Sequence, residues 1–438
     1  MMHQRDRQIL QIAIPAIVTN ITVPLLGLVD TAIVGHMGDA VYIGAIAVGS
    51  MIFNLVYWVF GFLRMGTSGM TAQAYGRENM ADAVRLLKRA LAIAVGIALL
   101  IIILQRPLCQ LMLTLIGPTA DVRPWAATYF YIVVWGAPPS LALFALTGWY
   151  IGMQNTRIPM LISILQNIIN IAASLLLVYA MGMKVEGVAL GTVVAQYAGL
   201  LVALVFLWRH YRQVFGPSVN IPSETALSSA GDFFRVNRDI FLRTLFLVAV
   251  NLYFTSAGAR QGAVILAVNT LLMQLYLLLS YIMDGFAYAG EALGGRYWGA
   301  HEGEAFRDVV RRLFRWGAGM TLLFTAVYVV GGQSFLHLLT DEPSVVEASA
   351  SYVGWAYLLP VAGVGAFIWD GIFIGITATR GMLLSSVLAA IVFFGGVATL
   401  TGPIGNHGLW LSMIVYLAIR GIVQTWLFCN RIAKNNTF

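Results

Sequence analysis

Four carboxylates fall inside stretches of sequence that otherwise suit hydrocarbon: Asp30, Asp284, Glu291 and Asp370. An acid at the centre of a membrane helix costs on the order of 2.5–3.5 kcal/mol by insertion scales, so such residues usually mark an ion or substrate path. Asp30 stands in PLLGLVDTAIVGHMG, with Pro15 and Pro24 earlier in the same segment. A proline removes a backbone hydrogen bond and allows a kink. Taking a carboxyl out of water disfavours its charged form. Asp30 is therefore suited to exchange a proton near neutral pH and, by its charge, to bias the shape of a bendable helix. The plainer alternative is a structural Asp, kept neutral or hydrogen-bonded for packing.

Polar residues elsewhere fall at helical spacing. In LQNIINIAAS, Asn167 and Asn170 are three apart, and Thr192 and Gln196 are four apart, so each pair shares a helix face. These groups suit a hydrogen-bond network around Asp30; they suit equally the polar contacts that join helices in membranes. Asp284 and Glu291 lie two turns apart with Tyr281, Phe286 and Tyr288 around them, and Asp370 has Trp369 and Phe373 nearby. Acids among aromatics attract organic cations through charge and cation–π contact. Against that, any of the three can pair with Arg64, Arg243 or Arg420, and Glu291 can lie near the cytoplasmic surface.

The elements that must hold these side chains are membrane helices. Of 438 residues, 59% are hydrophobic and only 10% charged, against about a quarter charged in soluble chains. Apolar runs recur from end to end and predict an all-α polytopic membrane protein of twelve spans, roughly 9–34, 42–68, 90–116, 125–150, 160–181, 187–208, 239–257, 264–290, 313–338, 348–375, 382–402 and 408–428. Alternate connections collect arginine and lysine, among them Arg85, Lys88 and Arg89, then Arg209 and Arg212, then Arg307, Arg311 and Arg312. The positive-inside rule then puts both termini in the cytoplasm of a plasma (bacterial inner) membrane. It also accounts for the net charge of +7 without nucleic acid. The basic N-terminal head lacks a small-residue cleavage site, so the first span reads as retained.

A repeat appears at an offset of 223 residues. GWYIGMQNTRIPMLIS from Gly148 aligns with GIFIGITATRGMLLSS from Gly371, identical at seven of sixteen positions. The same offset places Ala40–Val41 on Ala263–Val264, Gly76 on Gly299 and Lys88–Arg89 on Arg311–Arg312. Two six-span units that start on the same side are parallel repeats, an arrangement found in transporters that rock two halves about a central site. The expected organisation is an N-lobe over 1–212, a polar cytoplasmic linker over 213–237 and a C-lobe over 238–438. None of the three lysines follows a phosphate-loop spacing, the six histidines show no metal-site spacing, and no nucleophile–base pair stands out. Cys109 and Cys429 are too far apart in sequence to suggest a local metal or redox motif. The pattern points to a secondary transporter, not an ATPase or an enzyme, with no cofactor and no metal.

GLVDTAIVGHMG in the first span and GMQNTRIPM after the fourth resemble motifs of the multidrug and toxic compound extrusion (MATE) family. MDGFAYAGEALGG, Met283 to Gly295, and WDGIFIGITATR, Trp369 to Arg380, are similar to its DinF-type branch. The resemblance implies two six-helix bundles around a central cleft and export of organic, often cationic compounds in exchange for protons, with sodium as the alternative ion. It implies small-molecule drugs as partners, a lipid surround and a monomer. On it, Asp30 matches a first-span acid tied to ion coupling, Pro15 a proline at which that helix bends, and Asn170 and Thr192 their polar partners. Where many members carry a second Asp, this chain has Ser174. A lipid-linked precursor flippase is the other transport reading; an anionic headgroup calls for a basic cavity, whereas the mid-membrane charges noted above are mainly acidic.

The loop assignment is directly testable. In a chain with Cys109 and Cys429 replaced by alanine, Ser223→Cys should react with a membrane-impermeant thiol reagent only after cells are opened. Labelling of intact cells would reverse every loop.

Overall fold

Long apolar runs in a chain that must satisfy its own backbone hydrogen bonds fold as helices. A computed structural model describes residues 4–35, 39–216, 229–339 and 342–432, and no strand occurs among them. Among the described residues twelve long helical segments follow in order, with shorter helices at Gln105–Ile116 and Pro343–Ala350 between them: α1 Gln4–Gly35, α2 Ala40–Gly76, α3 Met80–Ile103, α4 Val122–Gly152, α5 Arg157–Ala180, α6 Val185–Phe215, α7 Ala230–Ala259, α8 Ala263–Gly299, α9 Gly303–Leu339, α10 Val353–Gly375, α11 Thr379–Ile404 and α12 Asn406–Leu427. Segments α2 to α12 are long and apolar enough to cross a membrane. At 32 residues, α1 extends about 48 Å and is also long enough. All twelve expected spans correspond to these helices.

Local chemistry explains where the boundaries differ. The expected span 90–116 is broken at Leu104, and a separate helix Gln105–Ile116 follows, because Pro107 cannot continue the hydrogen-bond ladder. Helix α7 starts at Ala230, inside the expected linker 213–237. Ser229 caps it: its Oγ accepts from the Asp232 amide and donates to the Asp232 carboxylate, both at 2.9 Å. The pattern is legible in the sequence as Ser-x-x-Asp, with the hydroxyl serving the free amide three residues on. The linker residues 217–228 lie outside the described residues.

Packing divides the chain into two compact units, Val18–Phe233 and Met1–Ile17 with Phe234–Phe438. In this division the first turns of α1 pack with the second half of the chain. Their charges find partners there. Arg5 bonds Asp308 at 2.5 Å, Arg312 bonds Asp6 at 2.6 Å, and Trp316 Nε1 donates to Asp6 at 3.2 Å. Helix α1 runs unbroken through Pro15, and the change of unit falls two residues later.

The 223-residue repeat reaches the backbone. Among the described residues, six of the eight with positive φ fall in pairs at that offset: Glu78 and His301, Gln154 and Thr377, Gly182 and Gly405. Helix crossings repeat as well. A Cβ on Gly148 would lie 2.3 Å from the Arg64 carbonyl oxygen, and one on Gly371 would lie 2.2 Å from that of Ala287. One turn on, Gly152 and Gly375 would each meet a carbonyl, of Ser68 and Glu291, at 2.8 Å. Small residues let membrane helices approach backbone to backbone, so both units are built on the same α2–α4 or α8–α10 contact. Gly371→Ala and Gly148→Ala should each destabilise the protein by about 1–3 kcal/mol through overpacking. Thermal unfolding in detergent is the check, and an unchanged midpoint for either variant would contradict the crossing.

Candidate functional site

In the unit Val18–Phe233, α1, α2, α4, α5 and α6 bring polar side chains together inside an otherwise apolar bundle. Asp30 on α1 is buried, and its Oδ1 has no hydrogen-bond partner among the described residues. Its carboxylate acts electrostatically on the buried phenol of Tyr129 from α4. That phenol also faces Ser50 of α2, at 3.4 Å, and Thr192 of α6. The Tyr129 ring occupies a notch that exists only because residue 49 is glycine: a Cβ there would lie 2.2 Å from the ring.

The expected partners separate into three groups. Asn170 and Thr192 meet, with Asn170 Nδ2 donating to Thr192 Oγ1 at 3.1 Å while that hydroxyl donates to the Val188 carbonyl at 3.1 Å. Asn170 Oδ1 and the neighbouring Ser174 Oγ are buried acceptors without a partner among the described residues. Asn167, one turn earlier on α5, does something else. It donates to the Thr22 carbonyl at 2.9 Å, and Ser163 bonds the Thr22 hydroxyl at 2.9 Å, so it fastens α1 to α5. Gln196 sits against Gly136, where a Cβ would lie 1.6 Å from its Oε1. It neighbours Tyr57, which also meets Ser140 and acts on the Tyr129 phenol. Sequence reasoning passed over Tyr129, Ser50 and Tyr57, since a lone tyrosine or serine in an apolar span carries no spacing signal.

The second-half acids fare differently. Asp370 on α10 is buried and fully engaged: Oδ2 accepts from Arg243 of α7 and Arg420 of α12, and Oδ1 from Gln424 at 2.7 Å. Both arginines are buried too. Of the two readings that the sequence left open for Asp370, this is the pairing with Arg243 and Arg420. Glu291 lies in a π-turn, Gly290–Gly294, and is buried at the tight α8–α10 crossing. Asp284 is half-buried and acts on the phenols of Tyr276 and Tyr281. Tyr288, one turn beyond it, is half-buried as well. Among the described residues no group of His, Cys, Asp and Glu could hold a metal ion.

Breaking a buried ion pair leaves the partner charge uncompensated, at a cost of about 3–5 kcal/mol. Asp370→Asn should accordingly lower the unfolding midpoint sharply or abolish expression, whereas Asp284→Asn should leave the midpoint close to wild type. Equal midpoints for the two variants in detergent would contradict the structural role given to Asp370.

Comparison with known proteins agrees with this architecture. The family model MatE matches residues 15–176 and 240–395, one segment in each half of the repeat. DNA damage-inducible protein F of Escherichia coli K12 is 40% identical over 418 residues, covering 95% of this chain and 90% of its own length. A probable multidrug resistance protein NorM of Xylella fastidiosa strain 9a5c is 23% identical, covering 96% of this chain and 91% of its own. The outward-facing structure of a multidrug resistance MATE transporter superposes with a TM-score of 0.87 at 18% identity, covering 99% of this chain and 98% of that one; at that identity it speaks to the fold.

Proposed function

The chain belongs to the MatE family of membrane transporters, and on that premise we propose that it exports organic, often cationic amphipathic compounds in exchange for protons by alternating access. The observation that carries this reading is Asp30, a buried carboxylate with an unpartnered oxygen and no ion pair among the described residues. In low dielectric such a group is stable when protonated and costly when charged. Its proton occupancy therefore changes the energy of whatever conformation encloses it. Helix α1 is suited to respond. It is fastened through Thr22 to α5 and through Arg5 and Asp6 to α9, and Pro15 lies between those anchors as the place to bend. The phenol of Tyr129, on which the Asp30 carboxylate acts, also faces Thr192, the partner of Asn170.

Sodium coupling is the second reading. The unpartnered oxygens of Asn170 and Ser174 favour it, because a hard cation seeks oxygen ligands. The single carboxylate favours the proton, since with Ser174 in place of a second acid the cluster offers one charge to neutralise. In proteoliposomes, an imposed proton gradient should drive drug transport without sodium, and Asp30→Asn should reduce it by about tenfold or more. Transport that follows sodium alone would select the second reading; unchanged transport by Asp30→Asn would remove Asp30 from either.

Cation recognition in the second half falls to Asp284 with Tyr288, since Asp370 is held by arginine and Glu291 is buried in a helix crossing. Asp284→Asn should weaken binding of ethidium by about tenfold at fixed pH and spare a neutral substrate. Equal affinity for ethidium would contradict that assignment. The bacterial inner membrane, with both termini cytoplasmic, is the location that fits this activity.

A further inference from the structure

The buried cluster around Asp370 holds more positive charge than negative. Arg243 is 6% exposed and Arg420 4%, and both guanidiniums bond the same oxygen, Asp370 Oδ2. For the acid this arrangement is complete, since Oδ1 accepts from Gln424. For the arginines it is not. Asp370 is the one acid that pairs with either of them among the described residues, so two cations share a single anion and one positive charge is left over. Asp284 acts with Arg420 on the Tyr276 phenol but forms no ion pair with either arginine.

Polar atoms around the two guanidiniums are likewise unmatched. Arg243 Nε, Arg420 Nε, the Tyr416 hydroxyl and Gln424 Oε1 are all buried, and none makes a hydrogen bond among the described residues. Three of these four can donate. Arg420 packs against the Tyr416 ring, 5.6 Å from its centroid. A buried charge without compensation is strongly destabilising, and two guanidiniums on one oxygen repel each other in a low dielectric. One further anion would remove both costs.

The scaffold itself does not call for these charges. At the 223-residue offset the first half carries Asn20, Thr147 and Tyr197 in place of Arg243, Asp370 and Arg420. Val193 and Leu201 stand in place of Tyr416 and Gln424. One half is thus built without an ion pair at these positions, and the surplus charge of the other is left for a ligand.

We propose that Arg243, Arg420 and Tyr416 form a binding site for one monovalent anion, chloride or the carboxylate of a small organic compound. Arginine N–H and phenol O–H groups donate to either, and a single negative charge brings the cluster to neutrality. The site lies within the unit of Met1–Ile17 and Phe234–Phe438. It involves neither Asp30 nor the coupling ion, so its test does not depend on the exchange reaction.

Thermal unfolding of the purified full chain in detergent tests it, with sodium chloride or sodium acetate titrated against sodium isethionate at constant ionic strength. An anion that binds only the folded chain raises the midpoint as its concentration passes Kd, whereas screening acts equally in the three salts. Wild type should show a saturable rise. A rise in chloride identifies the inorganic ion as a ligand and a rise in acetate alone identifies an organic carboxylate; either supports the site. Tyr416→Phe removes a hydroxyl that has no partner among the described residues, so it should fold, and it should weaken the anion dependence by about tenfold. Arg420→Lys keeps the charge, loses the Nε donor and should weaken it in the same direction. Arg212→Gln, at an exposed position elsewhere, should leave it unchanged. Equal midpoints in all three salts, or a rise without saturation, would overturn the proposal. So would an anion dependence that Tyr416→Phe and Arg420→Lys both leave intact.

Discussion

Hydrocarbon offers no partner to a charge or a backbone amide, so a chain that spans it has to bring every partner from within. This requirement separates the acids that sequence alone leaves alike. Asp370 meets two guanidiniums and an amide, and in doing so links α7, α10 and α12. Asp30 meets neutral groups only, around the phenol of Tyr129, and keeps an oxygen without a partner. The first arrangement is stable because it is complete. The second is the kind that a proton or a small cation completes.

The same requirement explains the use of glycine. Gly148, Gly152, Gly371 and Gly375 admit neighbouring backbones to distances that no side chain permits, and dispersion over such close faces replaces the hydrophobic drive that lipid cannot supply. These crossings fall at one offset in both halves, as do the left-handed turn residues. The chemistry does not follow the repeat. The Asp370–arginine cluster and Asp30 itself each occur in one half, so a duplicated scaffold carries unlike groups.

Much of the fold was legible because hydropathy is summed over some twenty residues, and a long sum tolerates local exceptions. Ends were harder. Pro107 breaks a span that the average carries through, and Ser229 with Asp232 starts α7 inside a stretch that reads as linker. The first turns of α1 could not be assigned to a half from hydropathy, because Arg5 and Asp6 are placed by ion pairs to residues about three hundred positions away. Within the site, the family resemblance singled out Asn170 and Thr192, whereas spacing only grouped each with a neighbour on its own helix face, Asn167 and Gln196. Tyr129 was invisible for a related reason: its place depends on Gly49 of another helix, and one sequence does not display that contact.

The central claim is that the Asp30 carboxyl holds the exchangeable proton. Proton release from purified protein in weakly buffered detergent, followed with a pH indicator as a transported drug is added, tests it most directly. Wild type should release about one proton per chain, Asp30→Asn none, and sodium should leave the release unchanged. Release of the same size from Asp30→Asn would contradict it.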